Sequence, residues 1–183
     1  MKKGTVYKMA LCGLFAAIMA VCSWITIPTT VPFTLQTFAI FCTLGALGGQ
    51  WGTVSVLVYL LVGLAGMPVF SGFSGGYSAL FTASGGYLIG FLFTALVYWG
   101  ITAMFGNKLL VTIIAMAVGL LVCYAFGTAW FVLVYSRTEP VGILTALGWC
   151  VFPFIIPDGL KIALAIVISS RVRRFVKFEP KTA

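Results

Sequence analysis

Long apolar runs separated by short glycine, proline or polar clusters dominate this chain. A barrel strand in a membrane alternates polar and apolar positions; these runs do not alternate, so the pattern predicts helices. The runs place six spans, at about Tyr7–Ile25, Leu35–Gly48, Thr53–Ala65, Tyr87–Phe105, Leu109–Val134 and the later part of Val141–Ser170. Pro28 and Pro32 predict an extended break after the first. The Gly48-Gly-Gln-Trp-Gly52 cluster predicts a tight turn between the second and third. Those two spans are short, and cross with help from flanking loops or by thinning the bilayer, or are partly re-entrant. The final segment is too long for one straight span, and Pro153 and Pro157 are expected to divide it into a short approach helix and the sixth span.

Composition turns this pattern into a class. Hydrophobic residues make up 62% and charged residues 8% of the chain, and none of Asp, Glu, Lys or Arg occurs between Lys8 and Lys108. A soluble fold must cover its surface with polar groups, and so long an uncharged stretch cannot do so. At about 20 residues per span plus loops, 183 residues make one transmembrane domain, residues 1–183. The basic start resembles a signal peptide, but its apolar run is long enough to stay as a span and has no convincing cleavage box.

The net charge of +8 suggests nucleic acid until its position is considered. Lys2, Lys3 and Lys8 stand at the start, Lys108 in the middle, and Arg171, Arg173, Arg174, Lys177 and Lys181 at the end. Six spans put all of these on one side and the self-cancelling Arg137/Glu139 turn on the other. The positive-inside bias makes the first side cytoplasmic. Both termini are therefore expected inside, with Pro28–Phe33, Gly66–Gly86 and Ser136–Pro140 at the outer face. The basic residues read as a topology signal with some attraction to anionic lipid, not as a nucleic-acid surface.

Asp158 and Lys161 are the exception to the apolar pattern. A lone charge at the centre of a membrane helix costs roughly 2.5–3.5 kcal/mol on insertion scales, so such a residue faces the protein interior and has a partner. Spacing i, i+3 lets the two share one helix face. From Asp158 to Arg171, which marks the inner interface, is about 20 Å of helix, which puts the pair in the outer part of its span. One reading is an internal ion pair that fixes packing; the other is a ligand site, because a buried pair is a poor source of stability. In the second, Lys161 holds a carboxylate, or the pair meets another polar edge of the ligand.

The uncharged stretch Phe70 to Tyr87 is rich in glycine and in aromatics, namely Phe70, Phe73, Tyr77, Phe81 and Tyr87. It reads either as a flexible outer loop or as a wall for an apolar ligand, approached closely by glycine backbone. It is not a phosphate loop, since no G-x-x-x-x-G-K-[ST] occurs, so the chain cannot be its own ATPase. Small residues Gly13/Ala17 and Ala16/Ala20 recur at i, i+4 in the first span; such surfaces let membrane helices approach closely, inside the bundle or against another subunit. The five cysteines form no C-x-x-C pair and there is no histidine, which predicts apolar filler and no metal site. No catalytic set is present, so an enzyme is not expected.

Four runs together resemble the BioY family, biotin-specific S components of energy-coupling factor (ECF) transporters in prokaryotes: Val31-Pro-Phe-Thr-Leu-Gln-Thr-Phe38, Tyr59-Leu-Leu-Val-Gly-Leu-Ala-Gly-Met-Pro-Val-Phe70, Gly85-Gly-Tyr-Leu-Ile-Gly-Phe91 and Pro157-Asp-Gly-Leu-Lys161. They cover most of the chain in order. The resemblance implies an all-α integral membrane protein of six transmembrane helices with both termini cytoplasmic, the ECF S-component fold, in a prokaryotic plasma membrane. It implies biotin as ligand, no cofactor, and a transmembrane coupling subunit with two ATPase subunits as partners. The family's substrate-site Asp and Lys match Asp158 and Lys161, and Phe33, Gln36, Thr37, Phe70, Tyr77, Ser84, Gly85, Gly86 and Tyr87 are expected beside them. Its A-x-x-x-A docking motif matches Ala16/Ala20, with Gly13/Ala17 beside it. A carrier for thiamine or riboflavin, and a stand-alone membrane carrier, are the alternatives.

Overall fold

The computed structural model describes residues 3–29, 31–135 and 142–176. Lys2, the Ser136–Pro140 turn with Arg137 and Glu139, Lys177 and Lys181 lie outside the described residues. Among the described residues, five helical stretches are long and apolar enough to cross a membrane, as in a multi-pass membrane protein.

The first helix, α1, runs Lys3–Trp24, starting a turn earlier than the hydropathy suggested. The proline-bounded break after it forms a small antiparallel hairpin, β1 (Thr26–Ile27) and β2 (Phe33–Thr34), with Thr26 opposite Thr34 and Ile27 opposite Phe33. Helix α2 then spans Gln36–Leu64 but is interrupted at Gly48, whose φ of 78° and ψ of 175° are not helical. The chain reverses there. The Gln36 side chain bonds the Tyr59 hydroxyl at 2.6 Å, whereas a straight helix would hold these residues about 35 Å apart. A methyl on Gly52 would come within 3.0 Å of the Leu44 backbone. Two antiparallel arms thus pack through glycine at the turn expected from the cluster Gly48–Gly52.

The glycine- and aromatic-rich connection is not featureless. It contains two 3-10 turns, Ser71–Phe73 and Tyr77–Phe81, and helix α3 (Gly85–Phe105) starts immediately after. Helix α4 (Leu109–Tyr135) returns along α3. The two approach closely because glycines face the partner: a Cβ on Gly90 would meet Cys123 Sγ at 2.8 Å, and one on Gly119 would meet Thr94 at 2.9 Å. In a bilayer the lipid tails are as apolar as leucine, so close van der Waals packing of this kind holds helices together.

The last segment divides into α5 (Ile143–Cys150) and α6 (Phe152–Val172). The break falls at Val151, with φ −126° and ψ −57°, and not at either proline. Pro153 occupies the first turn, where no intrahelical N–H is needed. Pro157 lies inside α6, and its missing N–H leaves the residue 153 carbonyl without that helical partner.

Among the described residues, the cations outside the Asp158–Lys161 pair gather at one end of the bundle. Lys8 Nζ lies over the Trp51 ring, and Arg173 donates to the Gly45 carbonyl through Nε at 2.9 Å and Nη2 at 2.5 Å. The Gly45 carbonyl belongs to the last turn before the Gly48 break, where helical acceptors go unused. Lys108 lies between α3 and α4 at the same end. Replacing Gly48 by Ala should cost about 1–3 kcal/mol, because this backbone region is essentially restricted to glycine and nothing lies within 4 Å to add contacts. Thermal unfolding in detergent measures it, and an unchanged transition would contradict the turn.

Candidate ligand-binding site

At the end of the bundle away from those charges lies a cavity of about 250 Å³. The N-terminal turns of α2 and α3, the α5–α6 junction, the hairpin and the 3-10 turns enclose it. Its wall is largely apolar, including Val31, Phe70, Leu88, Phe91 and Phe154, and its polar floor is made by Thr37, Tyr124, Asp158 and Lys161.

The floor follows from the helix register. Asp158 and Lys161, three apart on α6, form an ion pair of 2.8 Å with both side chains almost fully buried. Lys161 also donates to the Thr34 carbonyl at 2.8 Å and to Thr37 Oγ1 at 3.1 Å. Thr37 in turn donates to Asp158 Oδ1 at 3.1 Å, and the Tyr124 hydroxyl donates to Asp158 Oδ2 at 2.6 Å. The Phe33 ring covers the ammonium, 4.1 Å from Nζ to the ring centroid, a cation–π contact that strengthens where water is excluded. Four elements, β2, α2, α4 and α6, converge on one pair of charges.

This arrangement has a defined hydrogen-bonding capacity. A lysine ammonium has three N–H groups, and Thr34, Thr37 and Asp158 take all three. An ionised carboxylate has about four acceptor positions. Oδ1 accepts from Lys161 and Thr37 and Oδ2 accepts from Tyr124, which leaves one position on Oδ2. The floor therefore offers acceptors and no spare lysine donor.

The roof is tied to α1 and α2 by a chain of hydrogen bonds. Thr34 Oγ1 donates to Gln36 Oε1 at 2.9 Å, Gln36 Nε2 to the Tyr59 hydroxyl at 2.6 Å, and Tyr59 to the Val69 carbonyl at 3.0 Å. Ser23 Oγ lies 2.7 Å from the same carbonyl, and Trp24 Nε1 donates to the Pro68 carbonyl at 2.9 Å. The Trp24 ring stacks on Phe73 at 5.1 Å. Phe73 has φ of 56°, a conformation costly for a side chain of this size. The rim of the cavity carries the hydroxyls of Ser71, Ser74, Thr82 and Ser84.

Of the residues singled out in the sequence, Asp158, Lys161, Gln36, Thr37, Phe70, Ser84 and Tyr87 line the cavity. Phe33 stands behind Lys161 and is not a lining residue. Tyr77 is exposed, and Gly85 and Gly86 are packing positions: a Cβ would run into the Leu80 backbone at the first and the Trp130 side chain at the second. On α1, Ala16 and Ala20 are buried in the core, whereas Gly13 and Ala17 are exposed. Sequence reasoning missed Tyr124, Thr34 and Phe154. None of the three carried a distinguishing signal; the hydroxyl of Tyr124 stands in an apolar span that also holds Thr112 and Thr128.

Fold and site together define a helical membrane protein with a partly open pocket suited to a small, mostly apolar ligand that has a polar edge. The chain matches the BioY family over residues 1–178 and belongs to it. It is 36% identical to the biotin transporter BioY of Thermotoga maritima, covering 88% of this chain and 93% of that protein. It is 34% identical to the probable biotin transporter BioY of Pyrococcus horikoshii, covering 91% and 96%. Among solved structures it resembles the S-component for biotin from an ECF-type ABC transporter, with a TM-score of 0.80 and 27% identity over 96% of this chain and 93% of that one.

Removing one member of the buried pair leaves the other uncompensated. Lys161→Met should lower unfolding stability by about 3–5 kcal/mol, and adding Asp158→Leu should recover most of that loss. Equal losses in the single and double variants, measured by thermal unfolding without ligand, would contradict the pairing.

Proposed function

We propose that this chain is the biotin-binding S component of an ECF-type vitamin importer in a prokaryotic plasma membrane. It binds the vitamin and leaves ATP hydrolysis to partner subunits. The observation that carries this reading is a buried ion pair with unspent acceptor capacity at the floor of an apolar cavity. The biotin named for the relatives and for the similar solved structure supports it.

Biotin suits such a cavity. Its fused rings are apolar and match the wall, and its ureido edge carries two N–H groups. With its donors committed, Lys161 is badly placed to receive the ligand's carboxylate. The Asp158 carboxylate, with one acceptor position left, suits a ureido N–H; at the rim Ser74 and Thr82 give their protons to the Ser71 and Ala79 carbonyls, so the hydroxyls of Ser71 and Ser84 suit the carboxylate tail. This orientation is the reverse of lysine holding the tail.

Six crossings fit this role. The reversal at Gly48 makes the two arms of α2 separate crossings, both short. Lys8, Lys108, Arg171, Arg173 and Arg174 then share the cytoplasmic side, the termini lie there too, and the cavity opens outward. The whole chain serves as one substrate-binding domain. The bare stripe of α1 around Gly13 and Ala17 is the surface offered to a transmembrane coupling subunit with its two ATPases. A Cβ on Gly13 would meet nothing within 4 Å, so a partner helix can come close there.

Purified protein should bind biotin in preference to thiamine or riboflavin. Asp158→Asn and Lys161→Ala should each weaken binding at least tenfold, about 1.4 kcal/mol. Titration in detergent checks this, and unchanged affinity in both variants would remove the pair from the site. Ala17→Trp should abolish ATP-dependent uptake while leaving binding intact, whereas Ala16→Trp, pointing into the core, should disturb folding and binding. If Ala17→Trp transports normally in proteoliposomes with the partner subunits, α1 does not dock by this face.

A further inference from the structure

We infer that Tyr124 is a positioning residue for ligand recognition: its hydroxyl fixes Asp158 Oδ2 so that a single acceptor position faces the cavity and reads one N–H of the ligand. The inference rests on the biotin-binding reading and concerns a residue of α4 outside the four motif runs.

The geometry is specific. Tyr124 is buried, lines the cavity, and donates to Oδ2 at 2.6 Å. That length is typical of an O–H donating to an ionised acceptor. Oδ1 is held from the other side by Lys161 at 2.8 Å and Thr37 at 3.1 Å. The carboxylate is thus gripped at both oxygens by groups from three helices, and it cannot turn about its terminal torsion without breaking at least one charged hydrogen bond. Without Tyr124, Oδ2 has two open positions, and the carboxylate is held at one oxygen only.

The tyrosine's own proton is also accounted for. Because Oη gives it to Oδ2, Tyr124 turns only acceptor lone pairs toward the ligand. A carbonyl or carboxylate arriving at this part of the floor meets lone pairs on Asp158 and Tyr124 and finds no donor there. An N–H meets a fixed acceptor. Tyr124 therefore contributes selectivity for a donor edge as well as affinity, through the oxygen it orients.

The test uses the full chain in detergent and measures the affinities of wild type, Tyr124→Phe, Asp158→Asn and the double variant. The ligands are biotin and a biotin analogue methylated on its ureido nitrogens. Tyr124→Phe keeps the ring in its packing site, and thermal unfolding reports whether each variant folds. The expected result is a loss of about tenfold for biotin in Tyr124→Phe, and less than about twofold when the same change is made on top of Asp158→Asn. The methylated analogue, which cannot use the oriented oxygen, should bind Tyr124→Phe within about twofold of wild type. Equal weakening of both ligands, or full additivity with Asp158→Asn, would overturn the inference and leave Tyr124 as packing alone. Should Tyr124→Phe unfold, Tyr124→Met tests the same point with another apolar side chain that has no donor; biotin affinity equal to wild type in either folded variant overturns the inference. If wild type itself fails to bind biotin, the functional reading falls and this inference with it.

Discussion

A lysine and an aspartate withdrawn from water govern the architecture around them. Their desolvation is offset only if the two charges meet each other, the lysine's other donors are met, and most of the carboxylate's acceptor positions are filled. Asp158 and Lys161 satisfy that demand by recruiting a strand carbonyl, a threonine at the start of α2 and a tyrosine from α4. The hairpin that looks incidental in the chain is what delivers the Thr34 carbonyl and the Phe33 ring to the ammonium. The same constraint leaves one acceptor position unfilled, and in an apolar cavity that is the feature able to select a ligand.

The rest of the bundle is arranged to hold those elements close. Glycines at 90 and 119 set the spacing of α3 and α4, and a Cβ at Gly127 would collide with the Tyr87 ring. Tyr87 is itself held by a 3.1 Å contact between its hydroxyl and that of Thr128. At the opposite end Arg173 clasps the Gly45 carbonyl, so α6 is fastened to the first arm of α2 at both ends. The hydrogen-bond chain Thr34–Gln36–Tyr59–Val69 carries the order of the floor up to the loop over the cavity and, through Ser23, to the end of α1.

How much of this was readable from the chain varies with the physics of each residue. Asp158 and Lys161 stood out because charge in an oily helix has few explanations. The reversal at Gly48 was legible as a glycine cluster. The break at Val151 was not, because two nearby prolines drew attention and one of them is accommodated inside the helix. Tyr124 was hidden because tyrosine is ordinary in membrane helices, and its value depends on an oxygen thirty-four residues away in sequence. Gly85 and Gly86 read in the sequence as backbone offered to a ligand; the structure adds a packing demand, since a Cβ would meet the Leu80 backbone at the first and the Trp130 side chain at the second. The faces of α1 could not be oriented from hydropathy, since lipid and core are equally apolar, and only the folded bundle separates Ala16 and Ala20 from Gly13 and Ala17.

The most direct test of the central claim is a crystal structure of this chain with biotin bound. The account predicts a ureido N–H within hydrogen-bonding distance of Asp158 Oδ2, with the Lys161 contacts to Thr34 and Thr37 intact and the carboxylate among the rim hydroxyls. Biotin seated with its carboxylate on Lys161, or away from the ion pair altogether, would contradict it.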